Sequence, residues 1–370
     1  MTRNLVICCD GTSNQPSQAA TNVVKLVYAL EKDPARQLVW YHPGLGTMAA
    51  PGFTTPVGSF AARTAGLAFG YGLKDDLRDA YCYIMDHWQP GDRIFMFGFS
   101  RGAYTVRALA SLIRMYGLAM AGNAPLVPYA VRMMWKANDG TGRFDQAMAL
   151  ARQFREGLSG GECPIHFLGV WDTVSSVGWV GSPVSFPHTR SNAAIANVRH
   201  AVSIDERRAF FRTNLFGPVA EQDLLEVWFP GTHCDVGGGY PETESGMSKY
   251  PLRWMLDEAR AKGLSVNDER AALVLGERGD GYVAPSPNAP LHNSMSPFWR
   301  LAEFAPKRYW SQKTKSYQFG INLFHQRSMG DTPIVHDVAW EIPGYASRLP
   351  SGAQRLAGVS SPSKTAVGAG

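Results

Sequence analysis

Cysteine, charge and long apolar runs are all scarce in this chain, and each shortage removes a class of protein. There are 5 cysteines in 370 residues. Cys8 and Cys9 are adjacent, while Cys82, Cys163 and Cys234 stand apart, so neither zinc-ligand spacing nor the density of a disulfide framework is present. The cysteines read as small buried residues of a protein made in a reducing compartment, and no metal or other cofactor is expected. No apolar stretch approaches the length of a membrane-spanning helix. The run Leu5 to Cys9 is too short for the core of a signal peptide, so cytoplasmic synthesis is expected, with any export by a leaderless route. Charged residues make up only 18% of the chain and the formal net charge is +5, with no basic stripe interleaved with aromatics. That argues against nucleic acid as a partner and is compatible with transient contact with an anionic membrane surface.

What the chain does have is 45% hydrophobic residues and 38 glycines, enough for one large α/β domain or two smaller ones. Short apolar runs alternate with helical spacing. Leu5–Cys9, Gln37–His42, Ile94–Phe97, Pro164–Val170 and Leu224–Phe229 read as strands. Thr21–Glu31, Leu73–Trp88, Ala103–Tyr116 and Leu252–Lys262 read as helices, with helical material also expected in 124–161 around a glycine-broken patch and in part of 193–211. This alternation predicts an α/β fold of the doubly wound, α/β-hydrolase-like kind, a mostly parallel sheet with helices on both faces. The domain is expected to span 1–345, with 52–72 and 175–192 as lid or pocket-wall segments. The stretch up to 345 reads as aromatic-rich and irregular, and 346–370, rich in Ser, Pro, Ala and Gly, as a disordered tail.

The stretch that organises the rest is Asp92 to Tyr104. Its apolar strand turns through Gly98-Phe99-Ser100-Arg101-Gly102 and continues as a helix, the strand, G-x-S-x-G, helix arrangement of a nucleophile elbow. A serine on so sharp a turn needs neighbours with almost no side chain. Its hydroxyl also needs a base, and the base a carboxylate that fixes its tautomer. In the order Ser, acid, His, Asp172 follows the strand after the elbow, and His233 leaves a later strand into a glycine-rich turn. Asp205, Asp223 and Asp235 rival Asp172, and His292, His325 and His336 rival His233; Asp235 is also placed to brace the His233 loop. The oxyanion donors are expected to be the backbone N–H of Arg101 and an amide of Gly11 or Thr12, in the Asp10-Gly11-Thr12 turn after the first strand.

Six ordered motifs then carry a family resemblance: Cys-Asp-Gly-Thr-Ser-Asn (9–14), Tyr-His-Pro-Gly-Leu-Gly-Thr (41–47), Gly-Phe-Ser-Arg-Gly-Ala-Tyr (98–104), Val-Trp-Asp-Thr-Val (170–174), Phe-Pro-Gly-Thr-His-Cys-Asp-Val-Gly-Gly-Gly-Tyr (229–240) and Leu-His-Asn-Ser-Met (291–295). The chain resembles an α/β-hydrolase family, once of unknown function, that includes phospholipase effectors of the bacterial type VI secretion system. The resemblance covers roughly 3–340. It implies a serine esterase or lipase of phospholipase A type with Ser100, Asp172 and His233 as its triad, a lipid or other ester as substrate, and a secretion-apparatus or immunity protein as partner. A soluble carboxylesterase and a non-catalytic module retaining the fold are the alternatives.

Three other chemistries fit less well. Gly44-Leu45-Gly46 resembles a dinucleotide fingerprint, but Pro51-Gly52 blocks the helix that should follow. Cys8-Cys9-Asp10-Gly11-Thr12 resembles a phosphatase loop whose nucleophilic carboxylate is replaced by Cys8. A metal reading would use Asp10, His233 and Asp235 as ligands.

Overall fold

The computed structural model describes all residues except 1, 12–19, 45–66, 138–143, 175–177, 180–181, 184–185, 209–210, 280, 305–306, 312–315, 322 and 359–370. Eight strands form one sheet in the order β12-β11-β8-β7-β4-β3-β1-β2. They are β1 (Asn4–Cys9), β2 (Gln37–His42), β3 (Arg93–Phe99), β4 (Ile165–Trp171), β7 (Ile195–Ser203), β8 (Asp223–Phe229), β11 (Ile334–Val335) and β12 (Gln354–Arg355). Every pairing in it is parallel. Two small antiparallel pairs lie outside it, β5 (Gly178–Trp179) with β6 (Ser182–Pro183) and β9 (Lys307–Ser311) with β10 (Ser316–Gly320).

A parallel sheet needs cover on both faces, and the alternation of side chains along the strands supplies two cores. On one face Leu5, Ile7, Ile94, Met96, Ile165 and Leu168 pack with residues of α2 (Leu67–His87), α3 (Arg101–Tyr116), α4 (Val127–Lys136) and α5 (Phe144–Leu158). On the other, Val6, Cys8, Phe95, Phe97, Phe167 and Val227 pack with α1 (Asn22–Ala29), α6 (His233–Gly237), α7 (Lys249–Ala261) and α8 (Asp268–Val274). Each such fully buried apolar side chain contributes about 1.5–3 kcal/mol, which fixes the register of the central strands. The fold class read from the sequence is the one found.

The chain steps from β1 outward to β2, returns to β3 on the other side of β1, and then builds away through β4, β7 and β8. The reversal between β1 and β3 is a topological switch point, where the strand ends leave a crevice. Ser100, Asp172 and the turn leading to His233 leave the carboxyl ends of β3, β4 and β8, and Asp10 leaves that of β1. Among the described residues no helix is long and apolar enough to cross a membrane.

Four sequence readings need correction. The stretch 193–211, expected to be partly helical, contains the nine-residue strand β7. Ile195, Val198, Ala201 and Val202 imitate helical spacing, and its polar residues are buried with partners: Arg199 with Asp223 (2.8 Å) and Glu258 (2.5 Å), His200 Nδ1 with Glu226 (2.8 Å). The helix expected from Leu73 to Trp88 is α2, which begins at Leu67, inside the expected lid or pocket-wall segment 52–72, whose residues up to 66 lie outside the described ones. The late, supposedly irregular stretch holds β9, β10 and β11. The expected tail is ordered at its start: β12 pairs with β11 through Ile334–Gln354 and Val335–Arg355, and Arg348 bonds Asp205.

Candidate active site

The turn after β3 is built as the motif requires. Ser100 has φ 58° and ψ −116°, a conformation that strains a non-glycine residue. Its N–H donates to the Trp171 carbonyl at 3.1 Å, which extends the ladder from β3 to β4 by one residue. The two motif glycines have no room for a side chain. A Cβ on Gly98 would lie 2.5 Å from the Gly102 carbonyl oxygen, and one on Gly102 would lie 2.1 Å from the Cys9 carbonyl oxygen. Strand β1, the elbow and α3 thus pack backbone to backbone, and Ser100 is left half-buried at the carboxyl end of β3.

Asp172 repeats the device one strand over. It has φ 40°, and its N–H donates to the Ala201 carbonyl of β7 at 2.7 Å. The turned backbone aims its carboxylate across the strand ends. His233 opens α6, held there by Asp235, whose Oδ2 accepts from the Thr232 N–H at 2.8 Å and from the Thr232 hydroxyl at 3.0 Å. Asp235 therefore braces the loop that carries the histidine.

These three side chains meet. His233 Nδ1 donates to Asp172 Oδ2 at 2.5 Å, and the Ser100 hydroxyl donates to His233 Nε2 at 2.8 Å. A carboxylate only accepts, so Asp172 fixes the proton on Nδ1 and leaves Nε2 as an acceptor. Phe99 and Phe211 flank the imidazole, with ring centroids 4.6 and 4.8 Å away. Burial pushes the His233 pKa below its ordinary value, against the pull of Asp172. Burial works to raise the Asp172 pKa, but the Arg327 charge and the His233 hydrogen bond outweigh it and hold the carboxyl well below the usual range.

Three partners had no signal in the sequence. Arg327 grips both carboxylate oxygens of Asp172, Nη1 to Oδ1 at 2.5 Å and Nη2 to Oδ2 at 3.1 Å. Ser203 donates to Oδ1 from its N–H (2.9 Å) and hydroxyl (3.0 Å). Glu206 accepts from the His233 N–H at 3.3 Å and from both ends of Arg208, at 2.9 and 2.8 Å. Ser203 closes the strand that the spacing hid, and Arg327 stands 155 residues from Asp172 on a stretch without regular structure.

Asp205, Asp223, His292 and His336 are engaged elsewhere. Asp205 bonds Gly231, Tyr345 and Arg348, and Asp223 pairs with Arg199 and Lys262. His292 lies between Asp235 (2.6 Å) and Glu244 (3.1 Å) and stacks on Tyr240. His336 stacks on Phe229, and burial lowers its pKa to about 4. His325 lines a cavity beside the site.

The expected oxyanion donors fare unevenly. Arg101 supplies the first amide of α3, immediately after Ser100. The Gly11 N–H instead donates to Asp10 Oδ1 at 2.7 Å, so it is turned toward its neighbour's carboxylate; Thr12 lies outside the described residues. Asp10 also accepts from Thr21 (2.6 Å) and Tyr41 (3.0 Å), which makes it the brace of the β1 turn. Among the described residues no three His, Cys, Asp or Glu side chains converge as a metal-ligand group, and Asp10 is not joined to His233 and Asp235.

An uncharacterized protein of Saccharomyces cerevisiae is 35% identical over 245 residues, which are 63% of this chain and 35% of its own length. A crystal structure of an uncharacterized protein from Pseudomonas aeruginosa is 19% identical with a TM-score of 0.44, over 76% of this chain and 49% of that one. The Tle1 effector, solved bound to the VgrG spike of the type 6 secretion system, is 18% identical with a TM-score of 0.37, over 66% of this chain and 53% of that one. The chain therefore spans about a third of the yeast relative and about half of each solved chain. Residues 3–258 match the family described as "T6SS, Phospholipase effector Tle1-like, catalytic domain". That match takes in β1 through α6 and most of α7, and with them Ser100, Asp172 and His233, so the chain belongs to the Tle1-like family of type VI phospholipase effector catalytic domains.

Proposed function

We propose that this protein is a serine hydrolase that cleaves the acyl esters of phospholipids through Ser100, His233 and Asp172. The observation that carries the reading is the unbroken hydrogen-bond chain from Asp172 Oδ2 through the imidazole to the Ser100 hydroxyl, on a strained elbow.

His233 Nε2 takes the Ser100 proton as Oγ attacks the ester carbonyl, and the tetrahedral intermediate collapses with that proton delivered to the leaving alcohol. Water then repeats the sequence on the acyl-enzyme: His233 removes its proton, the fatty acid leaves, and Ser100 is regenerated. Asp172 keeps the proton on Nδ1 and stabilises the imidazolium, while Arg327 and Ser203 hold Asp172 in place. The Arg101 N–H is the first oxyanion donor. The Gly11 amide is engaged by Asp10, and Thr12, the other donor expected from that turn, lies outside the described residues. The family supports phospholipid as the substrate class, and a secretion-apparatus partner and leaderless export as its setting.

A panel of phospholipids and short soluble esters tests the reading. The wild type is expected to release fatty acid from phospholipid, with a rate jump where the lipid aggregates, and Ser100→Ala is expected to release none above background. Equal rates on monomeric esters and no rate on phospholipid would make the protein a soluble carboxylesterase.

The pH dependence follows from His233. The base acts in its neutral form, and burial lowers its pKa below 6.5. The acid limb of kcat/KM on a non-titrating ester is therefore expected to fall below pH 6.5, with the rate lost as pH drops through the depressed pKa. A limb centred above pH 6.5 would mean that another group supplies the base.

A further inference from the structure

A cavity of about 450 Å³ opens beside the triad, and its wall is dominated by one kind of side chain: Arg190, Arg207, Arg208, Arg212 and Arg327 all line it. The carboxylate of Glu206 is the one acid among its described lining residues, with that of Asp172 behind Arg327. Glu206 is 1% exposed and already accepts from Arg208, His233 and the Ser294 hydroxyl. Arg327 and Arg208 are matched by Asp172 and Glu206, and Arg207 and Arg212 hold contacts of their own, but the wall still carries more cations than these two carboxylates balance. Planar forks of this kind match the oxygens of a phosphate, with paired charge-assisted hydrogen bonds.

Two of the five are held in position by the site itself. Arg327 is clamped on Asp172, and Arg208 on Glu206 with its guanidinium 3.5 Å over the Phe211 ring. Phe211 lines the same cavity and packs edge-on against the His233 ring. The cavity and the triad therefore share Phe211 and Arg327 as a wall. In a glycerophospholipid the phosphate and the nearest ester carbonyl are separated by only a few bonds.

We propose that this arginine-lined cavity is an anion subsite that holds the phosphate of the substrate headgroup while the acyl ester lies at Ser100. The proposal rests on the hydrolase reading for the second half of that sentence, and on the cavity alone for the first. It makes the substrate an ester bearing a phosphodiester and makes neutral esters poor substrates.

Two measurements separate the halves. The first compares hydrolysis of dihexanoyl phosphatidylglycerol with that of p-nitrophenyl butyrate by the wild type and by Arg190→Gln/Arg212→Gln, two cavity residues outside the triad. Loss of charge-assisted hydrogen bonds of this type is expected to raise KM for the phospholipid by about tenfold or more, leaving kcat/KM on the neutral ester within about twofold. An equal change on both esters, or on neither, would overturn the assignment. The second is calorimetric titration of Ser100→Ala, which turns nothing over, with glycerophosphoglycerol and with inorganic phosphate. Binding of the phosphodiester that disappears with Arg190→Gln/Arg212→Gln supports the subsite. Binding of inorganic phosphate alone, or of neither, overturns it. Phosphodiester binding by a protein whose wild type hydrolyses no ester would leave the subsite standing and remove the hydrolase reading.

Discussion

His233→Ala is expected to lower kcat on a short-chain ester by roughly 10³–10⁶ while leaving the fold intact. The size follows from the lack of a substitute. The Ser100 hydroxyl bonds His233 Nε2 at 2.8 Å, and the rivals His292 and His336 are spent on other contacts. Without the imidazole the hydroxyl keeps its proton at neutral pH and is a poor nucleophile. The fold survives because α6 is anchored by Asp235 and Thr232 and by buried Val236, not by the imidazole. Steady-state kinetics beside a thermal melt checks both halves: a tenfold loss or less would move the base elsewhere, and a collapsed melting point would make the loss structural.

Gly102→Ala is expected to cost about 100-fold in kcat/KM and about 1–3 kcal/mol of stability, by adding a single methyl group. The atoms it would strike at 2.1 to 2.6 Å are the carbonyl oxygens of Cys9 and Asp10 and the Cys9 carbonyl carbon, all backbone of the central strand or its turn. A flexible side chain would yield, but a strand paired on both sides does not, so α3 must shift outward and carry the Ser100 turn with it. A displacement of about an ångström is enough to spoil an attack geometry. Gly157→Ala is the control: it lies in exposed α5 with nothing within 4 Å of its Cβ, and it should be neutral or slightly stabilising in the same denaturation and activity assays. Equal behaviour of the two variants would mean that the elbow tolerates movement.

The difference between what the sequence disclosed and what it hid has a physical basis. The elbow was legible because its demands are local: two glycines at fixed spacing, an apolar strand before them and a helix after. Asp172 and His233 were legible as polar residues leaving apolar runs, and the single long-range fact needed, that parallel strands end together, is general to this fold class. Strand β7 was hidden because a strand buried on both faces need not alternate, and its Asn197, Arg199 and His200 are satisfied by partners that no local pattern reveals. Ser203 and Arg327 were lost with it, since both matter through the Asp172 carboxylate, reached only in three dimensions. The Gly11 amide is a smaller case: the direction of one N–H depends on where the Asp10 side chain turns, which no local pattern reveals.

The central claim is that the meeting of Ser100, His233 and Asp172 makes one hydroxyl reactive, and covalent labelling tests it most directly. A fluorophosphonate probe, read by mass spectrometry after digestion, is expected to modify the wild type at Ser100, to modify His233→Ala far more slowly, and to leave Ser100→Ala unlabelled. A folded wild type that takes up no probe, or takes it up at another residue, would contradict the account.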